Sequence, residues 1–398
     1  MPPSSAASES DDAVPKAPPP SSVTLDSVRS QPNPYRAAAS IGLVSAVPVV
    51  EAYRHYTATG LDLRFADPLQ MHRLGLTASW TPQPGVPASE RLHVTARYTR
   101  YDLGVQFRWN PASFYDLAGP TQTSRKGYNT AVDWHRSLMR DLPRTLDLTL
   151  RLSHWGGLQR LPDHQNVATS SGFDQLLANS AELRYKHLRG SLGAVEAEVG
   201  HTWFATLSSN DVRVHRPGGA EWRAYPFAEA GVDVGAPVPG LRHSSLWLRS
   251  AAGYSPGDRT EPFANFYFGA FGNNVLDRQD PKRYRDPASF PGLAIDEVGG
   301  TNYARTMLDW NLPPLRFRRA GTLALYATWA RVSLFGSVLG TNLDDAVTRS
   351  RVADLGAQMD IRLQFLTLDP LTLSFGYARA FERHVGPRHE AMVSLKVL

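Results

Sequence analysis

The chain has 398 residues, 42% apolar and 20% charged, and its formal net charge of +5 comes almost wholly from arginine, since lysine stands only at 16, 126, 186, 282 and 396. It has no cysteine, which excludes a disulfide framework, thiolate metal ligation and cysteine catalysis. The longest apolar stretch, near Ile41 to Val50, is about half a spanning helix, and no basic run interleaves with aromatics as a nucleic-acid groove requires, so helical membrane proteins and nucleic-acid partners drop out.

Residues 1–40 are rich in Pro, Ser and Ala and hold few large apolar side chains, too few to offset the entropy of ordering. This segment is expected to be a disordered lead or linker remnant before a barrel at 41–398. Met1 to Pro20 carries Glu9, Asp11 and Asp12 where a secretory signal needs a basic and then an apolar region. The remainder nevertheless reads as exported, so a longer precursor or a misassigned start is expected.

From Ile41 onward the chain consists of short alternating segments broken by Gly, Pro, Asp and Asn. Leu74, Leu76, Ala78 and Trp80 oppose Arg73, Gly75, Thr77 and Ser79. Leu103, Val105, Phe107 and Trp109 oppose Asp102, Gly104, Gln106 and Arg108. Leu146, Leu148, Leu150 and Leu152 oppose Asp147, Thr149, Arg151 and Ser153, and Leu355 to Leu363 repeats the pattern against Gln358, Asp360 and Arg362. The period is two, which makes strands with one apolar and one polar face.

The predicted strands are 43–51, 57–66, 71–82, 90–99, 102–110, 124–138, 144–155, 176–188, 192–208, 218–237, 243–256, 300–314, 321–338, 351–367, 371–381 and 389–398. Connections after even-numbered strands are short, while several after odd-numbered ones are long, above all 257–299, a parity that outer-membrane barrels show. Trp80, Tyr98, Trp109, Trp134, Trp310, Trp329 and Tyr377 fall near strand ends on the apolar face, as an interfacial girdle would. Arg73, Arg151, Arg249, Arg305, Asp309, Asp360 and Arg362 fall on the polar face and are expected to line a wet lumen, the arginines pairing with Asp309 and Asp360. Closure requires the last ten residues to pair with 43–51, because hydrocarbon tolerates no open edge.

The last third supports a more specific reading. Ser244 to Tyr254 is followed by Phe263-Ala-Asn-Phe-Tyr-Phe-Gly269-Ala-Phe-Gly272-Asn-Asn274, then Gly299-Gly-Thr-Asn302, then Met307-Leu-Asp-Trp-Asn-Leu-Pro-Pro314, and a hairpin spans Leu355 to Phe381. In order and spacing these elements resemble the barrel of the outer-membrane assembly-factor superfamily, the bacterial surface antigens, over about 240–398. The resemblance implies a long loop between strands eleven and twelve that enters the lumen. It also implies a role in export, insertion or surface display of polypeptide. Phe114 to Pro120 and Ser124 to Tyr128 look like barrels that close exported proteins carrying a Tol-type propeller, which implies a fused periplasmic domain. Two departures stand out: the family's Val-Arg-Gly-Phe loop tip is replaced by Ser289-Phe290-Pro291-Gly292, and its acidic partner on strand thirteen by Thr328. The family's N-terminal POTRA domains have no counterpart in the forty Pro/Ser-rich residues.

Chemistry beyond this is sparse. His389-Glu390 lacks a second histidine at zincin spacing, Asp163-His164 stands alone, and neither a Gly-x-Ser-x-Gly elbow nor a phosphate loop occurs, so neither metal, cofactor nor catalysis is expected. The loop aromatics Phe263, Phe266, Tyr267, Phe268 and Phe271, with Gly269 and Gly272 as bends and Phe290, Pro291 and Gly292 at the tip, admit a lumen plug or an external lid, and the plug is preferred. Arg278, Lys282, Arg283 and Arg285 are then expected to meet Asp309 and Asp360. The whole is read as an all-β antiparallel transmembrane barrel of about 16 strands in the lipid of a bacterial outer membrane. A gated or passive pore and a membrane anchor for an adjoining domain are the alternatives.

Overall fold

The computed structural model describes residues 35–53, 56–111, 126–157, 173–216, 218–271, 282–294, 296–365, 371–383 and 385–397. The loop residues Gly272 and Arg278, and all of 1–34 and 112–125, lie outside them. Tyr35, the first described residue, donates its hydroxyl to Asp67 and precedes a 3-10 turn at Ala37–Ser40.

The strands are β1 Gly42–Tyr53, β2 Tyr56–Ala66, β3 His72–Trp80, β4 Leu92–Arg100, β5 Leu103–Trp109, β6 Tyr128–Asp141, β7 Arg144–Gly156, β8 Phe173–Arg189, β9 Val199–Arg216, β10 Gly219–Pro237, β11 Ser245–Tyr254, β12 Phe266–Phe268, β13 Val298–Gly300, β14 Asn302–Asn311, β15 Leu315–Gly321, β16 Leu325–Thr341, β17 Ser350–Phe365, β18 Leu371–Glu382 and β19 Val385–Val397. Seventeen of them form one sheet, and β12 pairs with β13 apart from it. Each strand is antiparallel to its neighbour in sequence from β1 to β11, then β14, β16, β17, β18 and β19. β15 continues β14 along the same edge of β16, so two of the seventeen strands share one place and sixteen positions remain.

Two expectations need correction, and a third, closure, has no register behind it among the described residues. The twelfth strand does not end at 314 with a connection over 315–320: the two prolines, which cannot donate to a ladder, interrupt it, and Leu315–Gly321 resumes pairing before the turn at 322–324. The ninth strand begins at Val199 rather than 192, because 190–198 is a folded connection in which Gly193 takes φ +86°. Among the described residues no hydrogen-bonded register joins β1 to β19, the seam where closure was expected.

Two-residue alternation decides which face each side chain takes. Along β14, Tyr303, Arg305, Met307, Asp309 and Asn311 are buried while Ala304, Thr306 and Leu308 are exposed. Paired residues share a face, so the outward set runs laterally from Leu248 of β11 to Leu308 of β14 and Gly336 of β16, and from Leu246 to Trp310 to Leu334. On the other side of the sheet Leu63, Leu76, Ala96 and Phe107 form an equivalent row across β2 to β5. The outward face is therefore apolar although open, and the concave face is polar and covered by the chain's own loop. This is the reverse of a soluble sandwich. Trp80, Trp109 and Tyr377 are exposed on the outward face. Trp329 is not with them: it shares the inward face of β16 with Arg331 and Ser333, pairs with Arg362 and lines an interior cavity.

Candidate functional site

The connection between β11 and β14 starts at Ser255, whose N–H donates to Thr301 O at 2.7 Å, so both ends of the loop leave from one point of the sheet. From there it builds its own scaffold. Phe266 to Phe268 pair with Gly300 to Val298, and Phe290 N–H donates to Ala270 O at 3.0 Å. Gly269 is required where the chain folds on itself, because a Cβ there would stand 1.9 Å from Ala294 O.

The loop's aromatic side chains are seated on the inward face of β14 to β19. Phe268, Phe290 and Leu293 pack with Tyr303, Leu339, Val352 and Ala380, and Phe271 and Tyr284 pack with Met307, Phe335, Ala378 and Met392. Tyr284 stacks on Phe335 at 4.2 Å. Phe268, Phe271 and Phe290 are at most 1% exposed, and burying each stabilises by about 1.5–3 kcal/mol. Nearer the rim, half-buried Phe263 stacks on Tyr225 and Phe266 meets Phe227 and Tyr303 edge-on. Tyr267 is half-buried, and burial pushes its hydroxyl up to about 12.

Backbone contacts lock this seat. Glu390 of β19 accepts from Phe271 N at 3.1 Å and Gly292 N at 3.0 Å. Arg305 donates to the carbonyls of Tyr284 at 2.8 Å and Pro287 at 3.0 Å, and to that of Asp286. Pro291 is buried, and Gly292 takes φ +92° where a Cβ would stand 2.6 Å from Ala380 N.

Past the aromatics, the loop's cations reach across the concave face. Lys282 Nζ lies 3.2 Å from Glu196 of the β8–β9 connection and donates to Asn311 Oδ1 at 3.0 Å and Ser333 Oγ at 2.8 Å, with Asp360 at 3.8 Å. Arg285 Nε lies 2.9 Å from Asp309 Oδ2, and its Nη2 lies 3.3 Å from Glu196. Arg331 of β16 also pairs with Glu196. Neighbouring strands lie about 4.8 Å apart, so contact between the β8–β9 connection and β16, with β10, β11 and β14 between them, requires a strongly curled sheet. Burial raises the Glu196 carboxyl, but Lys282, Arg285 and Arg331 together outweigh it and hold the group well below the ordinary carboxylate range. Lys282 is pulled below the usual lysine value by its burial, with Glu196 acting against that.

The structure thus brings Arg249, Arg305, Asp309 and Asp360 to the loop, Arg249 bridging Asp233 at 2.5 Å and Asp309 at 3.4 Å. Arg362 lies at the margin, donating to Thr372 Oγ1 at 3.1 Å. Arg73 and Arg151 stand apart, exposed on β3 and β7. Arg283 meets Asp286 rather than a strand acid. Arg305, expected to pair with a strand acid, instead holds loop carbonyls. Sequence reasoning missed Glu196, Arg331, Asn311 and Glu390. For Glu196 a signal existed: Gly193, close after the predicted turn at 189–191, lies inside what reads as strand.

No protein-family model and no curated protein sequence matches the chain. Among solved structures it is similar to BamA from Haemophilus ducreyi lacking POTRA domains 1–3, at 12% identity and TM-score 0.47, over 90% of this chain and 70% of that one. It is similar to CdiB from Escherichia coli at 14% identity and TM-score 0.46, over 87% of this chain and 62% of that one. The outer membrane channel DcaP of Acinetobacter baumannii aligns at 10% identity and TM-score 0.37, over 91% and 97% of the two chains.

Proposed function

We propose that this chain is a β-barrel of the bacterial outer membrane that is held shut by its own β11–β14 loop and that passes or inserts polypeptide when the loop is displaced. The carrying observation is the loop seat itself: three buried phenylalanines on the inward wall, with Lys282 and Arg285 joined to Glu196 and Asp309. A continuous apolar outward face beside a charged inward one fits lipid outside and water inside. The polypeptide client is supported by the order of elements in 240–398. A gated solute pore is the second reading, favoured by the cationic cavity that remains under the loop.

Replacing 263–292 by a short Gly/Ser bridge tests both. The protein is expected to remain folded and heat-modifiable while its conductance in planar bilayers rises several-fold. A trimmed protein that conducts no better than the parent overturns the plug. A steady open channel in the parent favours the solute pore, whereas a mostly closed, flickering one favours polypeptide passage.

A further inference from the structure

Under the loop the concave face keeps a cavity of about 720 Å³, walled by β8 to β11, the 190–198 connection, loop residues 285–287 and β14 to β18. This lies in the range of roughly 300–1,000 Å³ typical of small-molecule sites. Six cations line it, and three of them, Lys186, Arg305 and Arg362, have no carboxylate within 4 Å among the described residues. Arg305 is only 4% exposed, and its terminal nitrogens are taken by loop carbonyls. The Nε groups of Arg249 and Arg305 are buried without an acceptor. The acids on the same wall are already engaged: Glu196 holds three cations, Asp233 holds Arg249 and Asp286 faces Arg283. Lys186 is exposed and Arg362 half-buried, so both charges are open to the cavity, and with six cations against three acids, Glu196, Asp233 and Asp286, its wall is net positive.

The rest of the wall sets the kind of anion. Half-buried Phe204 and Trp329 present ring surface beside those cations, with Arg184 5.1 Å from the Phe204 ring, while Trp247 is 4% exposed and already covered, Arg249 lying 5.0 Å from its ring. An inorganic anion would leave these rings against water, whereas an apolar body would cover them. We propose that the cavity binds a small organic anion, a carboxylate carried on an aromatic or aliphatic body, with Lys186 and Arg362 meeting the carboxylate and Phe204 and Trp329 the body. The inference does not rest on polypeptide passage, and its readout is binding rather than conductance.

The test titrates the full chain in detergent with benzoate, read by calorimetry and by tryptophan fluorescence, with benzyl alcohol and inorganic phosphate in parallel. Saturable benzoate binding is expected. Lys186→Gln with Arg362→Gln should weaken it at least about tenfold, the scale of a lost charge-assisted contact. Trp329→Phe should reduce the fluorescence response, and benzyl alcohol should bind at least about tenfold more weakly than benzoate. Arg305 is left intact because it holds the loop backbone, and heat-modifiability of each variant reports its fold. The proposal is overturned if benzoate shows no saturable binding, if benzyl alcohol binds equally well, if phosphate displaces benzoate at equal concentration, or if the folded double variant keeps the parent's affinity.

Discussion

Glu196 on the β8–β9 connection and Lys282 in the loop form an ion pair at 3.2 Å, between residues 86 apart in sequence, and this contact ties the loop to the opposite part of the sheet. Lys282 is 1% exposed and two further cations share the same carboxylate, with Asp309 also on Arg285 and Asp360 near Lys282.

Glu196→Gln should therefore free the loop. Removing one partner of a buried pair costs about 3–5 kcal/mol, and the lower end applies because Glu196 is itself about a quarter exposed. Raised conductance and faster proteolysis within 282–292 are expected. Unchanged behaviour in both assays would show that the aromatic seat alone holds the loop.

The same pair makes a pH prediction. The Glu196 carboxyl is held below its ordinary value in the folded protein, so its contribution is fully present above that value and is lost only as pH falls through the lower, folded one. Closure should thus persist unchanged from pH 7 to about pH 4.5, the ordinary carboxylate range. An opening transition with its midpoint near pH 5 would mean that a carboxylate other than Glu196 controls the loop.

Gly292→Ala should lift the loop tip from β18. Its positive φ costs a side chain about 1–2 kcal/mol, and the new methyl would meet Ala380 N at 2.6 Å. Gly386→Ala on β19, which has open space around it, serves as the control and should be neutral. Equal protease resistance of the two variants would argue against the tight seat.

The orientation of the wall is tested on β7. Leu148 pairs with Leu183 on the outward face, and Thr149 pairs with Glu182 on the inward one. Leu148→Arg should cost roughly 2–4 kcal/mol in a folding titration into liposomes and Thr149→Arg little, if Leu148 sits near the bilayer midplane. Equal tolerance would contradict a lipid-facing outer wall.

Strand existence and facing were legible in the residues alone, because pleating puts Leu146 to Leu152 on one face and Asp147 to Ser153 on the other whatever the rest of the chain does. The sixteen positions followed from the same local rule. Boundaries failed where a local cue competed with another: the prolines at 313 and 314 read as the end of a strand but only interrupt it, and Gly193 was overlooked in a segment that otherwise alternates. The loop's aromatic content identified it as something more than a connector. Its partners could not be read in sequence, since Glu196, Arg331 and Glu390 meet it only after the sheet has curled and brought distant strands to one interior. Alternation is a property of neighbouring residues and is written in the chain. Which charge answers which across the concave face depends on curvature summed over many strands, and tertiary structure alone decides it.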